Sequence, residues 1–542
     1  MSSAMSLHGS LTLEGAALYA ILPGEVLPTG EAAEVGSKAW NLMRMARAGL
    51  PVPPGFVLPT AWCGTRNRRE EMARGNVLRQ GIARLERATG LGFGSSRRPL
   101  LVSVRSGAAI SMPGMMETVL DVGVNDETVE GLVRLTGNPS LAWDSYRRLI
   151  QGFAEVVQRL PTEPFDELIR DAVATEGAEN EHTLDHRALR RLAGSMLVRF
   201  RELAGAPFPQ IPADQLAQAI DAVFRSWDAV KAVEYRRLNH IDDAIGTAVT
   251  VQTMVFGNAG GMSGAGVGFT RDPATGEKAL YLDFQFNGQG EDVVAGRLAI
   301  GGTDRLRLVL PAVWDQLEVI CRQLEVTFSD VQDFEFTVQD GRLFLLQTRR
   351  AKRTPWAALK IAIDLVAEGL IQPKEALERL NGIDLNNVAR SHLSLPPTAP
   401  LARATVAGIG VVAGRIAFDP DAAKRFADGG DPTILVRRET MTADILGMAK
   451  AAGILTALGG RTSHAAVVAR QLGKVCLVGC ADLLIDPPGR TCRIGRHDFA
   501  EGDWLTLDGD QGAIYAGRLE VVVERPEAAL ARVAGWQESE SA

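Results

Sequence analysis

The stretch Gly459-Gly460-Arg461-Thr462-Ser463-His464-Ala465-Ala466-Val467-Val468-Ala469-Arg470 constrains this chain more than any other part of it. Gly453-Ile454-Leu455-Thr456-Ala457 before it reads as a short buried strand, and Lys474-Val475-Cys476-Leu477-Val478-Gly479 after it reads as another. The alanine-rich residues between them favour a helix. A strand–glycine turn–helix–strand unit holds its loop on a rigid support. That loop carries a single histidine near a helix N-terminus, where unsatisfied N–H groups and the helix dipole favour an anion. On these residues alone two readings stay open. His464 is either a capping-turn residue beside a Ser or Thr cap, or a nucleophile that comes to carry a phosphoryl group.

A chain of 542 residues is too long for one core and suggests three or four domains. Its formal net charge of −7 argues against nucleic-acid and membrane-surface partners. No run of 18 uncharged apolar residues and no signal peptide are evident, so the expected compartment is the cytoplasm. Cys63, Cys321, Cys476, Cys480 and Cys492 are too scattered for a disulfide framework, and the Cys476/Cys480 spacing has no second pair to complete a zinc site.

Other segments carry candidate chemistry. Arg105 ends an apolar strand and is followed by Ser106-Gly107, which suits either forked phosphate recognition or a structural ion pair. Gly36-Ser37-Lys38 opens a helix without the spacing of a P-loop, so Lys38 reaches a phosphate or is simply solvated. In Asp333-Phe334-Glu335-Phe336 the acids share one face of a strand and the aromatics the other. Gln347 and Arg349 share a face of the partner strand, across a turn containing Asp340-Gly341. Two acids, an amide and a guanidinium suit Mg²⁺ with nucleotide phosphates, or a solvated sheet face with cross-strand salt bridges.

GGRTSHAAVVARQLGKVCLVGC resembles the phosphohistidine segment of the PEP-utilising enzymes, in particular of the pyruvate, phosphate dikinase family. In order and spacing, VGSKAWNLMRMARAGLPVPPGFVL, PLLVSVRSGAAISMPGMMETVL, EYRRLNHIDDAIGTAVTVQTMVFGN, SGAGVGFTRDPATGEK, NGQGEDVVAG and DFEFTVQDGRLFLLQTRRAKRT resemble that family's nucleotide-binding domain. The resemblance implies an α/β and α+β multidomain chain. An ATP-grasp-like nucleotide-binding domain (residues 20–355) precedes a helical and Pro-rich linker (356–400). A swivelling α/β phosphohistidine domain (401–525) follows. The charged piece from Arg525 to Ala542, a C-terminal tail (526–542), reads from its own residues as helical and fraying. It implies that Lys38, Arg105 and Arg349 hold ATP phosphates. Glu335 and Gln347, with Asp333 less directly, would bind ATP and its Mg²⁺. His464 would take the β-phosphoryl group of ATP with release of AMP, phosphate accepting the terminal group as pyrophosphate.

Full dikinases continue into a PEP/pyruvate-binding barrel, and this sequence stops at Ala542, near where the barrel would begin. The expectation is therefore an ATP-dependent half-reaction, with pyruvate served by a separate barrel-bearing partner. Two alternatives are a phosphotransferase to another small acceptor and a non-catalytic nucleotide-state regulator. Only about 45 residues separate Arg353 from Pro400, too few for the inserted substrate domain of antibiotic-inactivating relatives. Thr462 lies where some relatives are regulated by phosphorylation.

Overall fold

Alternating glycines in Gly264-Ala265-Gly266-Val267-Gly268-Phe269 leave one face of that strand without side chains, and in the computed structural model phenylalanines of neighbouring strands fill the space. A Cβ on Gly266 would lie 2.4 Å from the Phe336 ring, and one on Gly268 would lie 2.6 Å from the Phe334 ring. The structure describes residues 18–25, 27–28, 31–64, 76–110, 112, 115–290, 303–394, 399–441, 444–460 and 463–541. Of the segments singled out above, Ser111, Pro113, Gly114, residues 291–296, residues 395–398, Arg461 and Thr462 lie outside them.

The chain divides into two compact units, one of residues 1–261 with 338–348 and the other of residues 262–337 with 349–542. In the first, strands β1 (Tyr19–Ile21), β2 (Gly55–Leu58), β3 (Val102–Gly107), β4 (Thr118–Val122) and β5 (Ala248–Thr253) form a sheet of order β1-β2-β5-β3-β4, antiparallel throughout. Around it lie helices α1 (Glu31–Arg47), α2 (Asn76–Thr89), α3 (Thr128–Thr136), α4 (Pro139–Gly152), α5 (Glu163–Glu176), α6 (His186–Ala204), α7 (Pro212–Arg225) and α8 (Val230–Leu238). Edge-on aromatic contacts, such as Phe153 to Phe208 at 5.4 Å and Phe200 to Phe208 at 5.3 Å, knit the helical part.

Strands β6 (Gly264–Phe269), β7 (Tyr281–Phe286), β8 (Gln332–Gln339) and β9 (Arg342–Arg350) form a sheet of order β7-β6-β8-β9. At the turn between β8 and β9, Asp340 and Gly341 have φ of 50° and 75°, the two positive values of a type I′ hairpin. Helices α9 (Thr303–Val309) and α10 (Pro311–Phe328) lie between β7 and β8 in the chain. The buried Arg271 forms ion pairs with Glu325 of α10 at 2.8 Å and with Glu368 at 3.0 Å, just past helix α11 (Pro355–Ala367). Helix α12 (Pro373–Leu380) packs on α11.

Strand β10 (Arg390–Leu393) then leads into an eight-stranded sheet made of β11 (Ala402–Arg403), β12 (Thr405–Gly408), β13 (Val411–Ala417), β14 (Thr433–Arg437), β15 (Gly453–Thr456), β16 (Val475–Val478), β20 (Trp504–Asp508) and β21 (Ala513–Ala516). A small meander of β17 (Leu483–Asp486), β18 (Thr491–Ile494) and β19 (His497–Ala500) precedes β20 in the chain. The run β13-β14-β15-β16 is parallel, and its crossover helices are α13 (Pro420–Asp428), α14 (Ile445–Lys450) and α15 (His464–Gln471). They pack through small residues, Ala422, Ala423, Ala465, Ala466 and Ala469, all buried. Strand β22 (Val521–Glu524) pairs antiparallel with β10.

The helical character expected near the end of the chain is observed, and the helix packs on its neighbours where fraying was expected. Residues Glu527–Ser541 form α16, and its apolar stripe of Ala529, Leu530, Val533 and Trp536 packs against the cluster of α11 and α12, with Val533 only 1 % exposed. Helical spacing outweighs the charge of the segment because it gives one face something to bury.

Gly266→Val is expected to destabilise the second unit by about 1–3 kcal/mol through overpacking against Phe336. The check is the urea midpoint followed by circular dichroism, and an unchanged midpoint would contradict this packing.

Candidate active site

The local sequence explains how His464 is presented. Gly459 has φ of 103°, a conformation that side chains rarely adopt, and this allows the sharp turn out of β15. Ser463 caps the helix, its extended backbone (φ −60°, ψ 162°) placing His464 as the first helical residue. The loop after β14 meets this turn because β14 and β15 are parallel neighbours, Arg437 being opposite Thr456. Two backbone bonds fasten the loops together, Ala457 N to Arg437 O at 3.1 Å and Leu458 N to Arg438 O at 2.8 Å.

The second loop brings Thr440, whose Oγ1 lies 3.0 Å from His464 Nδ1. A hydroxyl can give or take this proton. If Nδ1 carries the hydrogen and donates to Thr440, the ring's lone pair lies on Nε2. The imidazole is half-buried, and burial holds its pKa below the usual 6.5, opposed by the Asp444 carboxylate. Asp444 is itself fixed, accepting from Met441 N at 2.9 Å and pairing with Arg437 at 3.3 Å. The ring is therefore mostly neutral at pH 7, the form a nucleophile requires.

In the same unit, Asp333, Glu335 and Arg349 come together. Arg349 Nε donates to Asp333 Oδ1 at 3.1 Å, and Nη2 donates to Glu335 Oε1 at 3.4 Å. Phe334 and Phe336 are buried against the glycines of β6, so alternation turns both carboxylates to the opposite face. Burial pushes the Asp333 carboxyl up to about 6; Arg349 works against this and Glu335 adds to it. Gln347, two residues before Arg349 on β9 and 4 % exposed, belongs to the strip of hairpin in the first unit. Among the described residues no cluster of three or more His, Cys, Asp or Glu is arranged as a metal cage. One or two carboxylates suit Mg²⁺, which keeps waters and takes phosphate oxygens as its other ligands.

Lys38 and Arg105 both belong to the first unit. Helix α1 kinks at Gly36, whose φ of 77° and ψ of 153° are not helical. The kink lets the chain press on the end of β3, where a Cβ on Gly36 would lie 1.9 Å from Gly107 O. Ser37 N and Oγ both donate to Ala108 O, at 2.9 and 3.1 Å. Lys38 is thus fixed beside Gly107, two residues beyond Arg105 on β3.

Thr440, Asp444 and the buried Arg470 were not singled out from the sequence. Thr440 lies 24 residues before His464. The signal that could have found it is topological, since loops leaving adjacent parallel strands meet at one end of the sheet.

Residues 75–300 match the family model of the pyruvate phosphate dikinase AMP/ATP-binding domain, and residues 429–512 match that of the PEP-utilising enzyme mobile domain. The chain therefore carries, in this order, one segment similar to the dikinase AMP/ATP-binding domain and one similar to the PEP-utilising mobile domain. Among curated proteins it is similar to pyruvate, phosphate dikinase of Clostridium symbiosum, with 43 % identity over 511 residues, covering 93 % of this chain and 58 % of the relative. The enzyme of Rhizobium meliloti is 41 % identical over 527 residues (93 % and 58 %). Chloroplastic pyruvate, phosphate dikinase 1 of Zea mays is 41 % identical over 490 residues (89 % and 52 %). The chain thus spans a little over half the length of these relatives. Each of them carries the name pyruvate, phosphate dikinase on one longer chain, so they give no support to a separate barrel-bearing partner.

The raised Asp333 carboxyl makes a stability prediction. Its folded pKa of about 6 exceeds the ordinary 3.8, so the folded state binds the proton more tightly, and stability is lost as pH rises from 3.8 through about 6. Without nucleotide, Asp333→Asn should raise the thermal midpoint at pH 7.5, the difference from wild type narrowing toward pH 4. A lower midpoint for the variant at pH 7.5 would contradict this.

Proposed function

We propose that this protein is an ATP-dependent phosphotransferase that loads its own His464 in the manner of pyruvate, phosphate dikinase. The observation that carries this is the His464–Thr440 pair at the start of α15, within residues that match a PEP-utilising mobile domain. Nε2 attacks the β-phosphorus of ATP, and the bond to the bridging oxygen of AMP breaks. Inorganic phosphate then attacks the γ-phosphorus, the β–γ bridge breaks, and pyrophosphate leaves with the β-phosphoryl group on His464. The Nδ1 proton stays with the ring, shared with Thr440 Oγ1. The dipole of α15 favours the anion formed there.

Lys38, Arg105 and Arg349 are the proposed phosphate holders, with Glu335, Gln347 and Asp333 on the ATP·Mg²⁺ side. The metal would neutralise phosphate charge as it moves. Arg349 bridges the two acids; Asp333 and Glu335 would hold the metal, and their pairing with it would leave the guanidinium available to phosphate. An ATP-grasp-like nucleotide domain and a swivelling histidine domain are part of this proposal. Pyruvate, the acceptor in the relatives' names, is the proposed destination of the phosphoryl group, at a site that the residues assigned above do not include. All five cysteines are free thiols, which supports a reducing compartment, the cytoplasm. No described helix is long and apolar enough to cross a membrane.

Incubation with ATP labelled at the β-phosphate, Mg²⁺ and phosphate should give acid-labile label on wild type and none on His464→Ala. Label on the variant, or none on wild type, overturns the assignment. Thr440→Val should slow loading roughly tenfold, the rate equivalent of one hydrogen bond of about 1.5 kcal/mol, whereas Thr440→Ser keeps most of it. With the His464 pKa below 6.5, more than half of the ring is neutral at that pH. Loading should therefore fall less than twofold between pH 8 and 6.5, and a steeper fall would argue against the neutral ring as nucleophile.

A further inference from the structure

Arg470 lies on α15 beyond His464 and is only 1 % exposed. Its Nε donates to Ala466 O at 3.1 Å, which turns the guanidinium along the helix, and the guanidinium carbon stands 5.1 Å from the centre of the Phe269 ring. Phe269 ends β6. The next residue, Thr270, exchanges bonds with Gln332, its N donating to Gln332 O at 3.0 Å and its Oγ1 accepting from Gln332 N at 3.1 Å. Asp333 follows Gln332 directly, and its carboxyl is among the groups on which the charge of Arg470 acts, in the direction that favours its ionised form.

A second contact joins the same two parts of the unit. Tyr281 packs edge-on against Phe269 at 5.9 Å and donates its hydroxyl to Val406 O on β12 at 2.9 Å. A fully buried guanidinium is costly, and an aliphatic side chain would fill such a place more cheaply. What a cation adds over an aliphatic chain is a directional grip on the face of the ring.

We propose that Arg470 is a positioning residue for the loading of His464: by gripping Phe269 it seats α15 on the sheet that carries Asp333 and Glu335, and so fixes the pose in which the imidazole takes the phosphoryl group. It acts through the helix and touches no reacting atom. The proposal rests on the phosphotransfer reading above.

The test compares wild type, Arg470→Met, Arg470→Lys and Phe269→Leu in single-turnover labelling from β-labelled ATP. Phosphoramidate, a small phosphoryl donor that needs no nucleotide site, reports in parallel on the intrinsic reactivity of His464. Arg470→Met and Phe269→Leu should load from ATP roughly 10- to 100-fold more slowly, as expected when a reacting group is misplaced by about 1 Å. Their ATP dissociation constants and their labelling by phosphoramidate should match wild type, and Arg470→Lys should recover part of the rate. Loading of Arg470→Met at the wild-type rate overturns the proposal and leaves the phosphotransfer reading intact. A parallel loss of ATP and phosphoramidate labelling also overturns it, since it would mark a purely structural role. Wild type without label on His464 defeats both.

Discussion

The seating of Phe334 and Phe336 on the glycine face of β6 is the contact on which the rest of the second unit depends. It uses apolar burial to decide an electrostatic matter. With the rings held on one side, Asp333 and Glu335 have only the other side to occupy, and Arg349 spans them there. The same strand ends in Phe269, the ring under Arg470. A sequence of alternate glycines thus orients the acids and offers the histidine helix a place to dock.

The histidine is arranged by a different economy. Small residues on α13 and α15 allow the helices to lie close on the parallel strands, and the parallel order brings two loops to one end of the sheet. One loop supplies the imidazole and the other a hydroxyl to hold one of its nitrogens. Burial holds the ring's pKa below its usual value, and the helix start favours an anion.

What the sequence disclosed was what depends on near neighbours. The strand–turn–helix–strand unit around His464, the two faces of β8 and the Asp340-Gly341 turn all follow from periodicity and backbone sterics within a dozen residues. The kink at Gly36 is local too, but what it presses against, Gly107, is remote in sequence. Thr440 and Arg470 were illegible for that reason. A threonine in a loop and an arginine late in a helix are ordinary until strand order and packing give them His464 and Phe269 as neighbours. The end of the chain misleads in the other direction. Its helical character is legible and only its charge suggests fraying, while the packing of Ala529, Leu530, Val533 and Trp536 on α11 and α12 depends on residues remote in sequence.

That last helix has a mechanical consequence. The chain enters the histidine-bearing sheet through β10 and returns from it through β22, and these two strands are paired, with α16 then lying against α11 and α12. The sheet is therefore suspended from two chain crossings side by side. A body on one thread can wander in any direction, but a body on two adjoining threads swings about the line between them. Any displacement of His464 relative to α11 must therefore bend both crossings together.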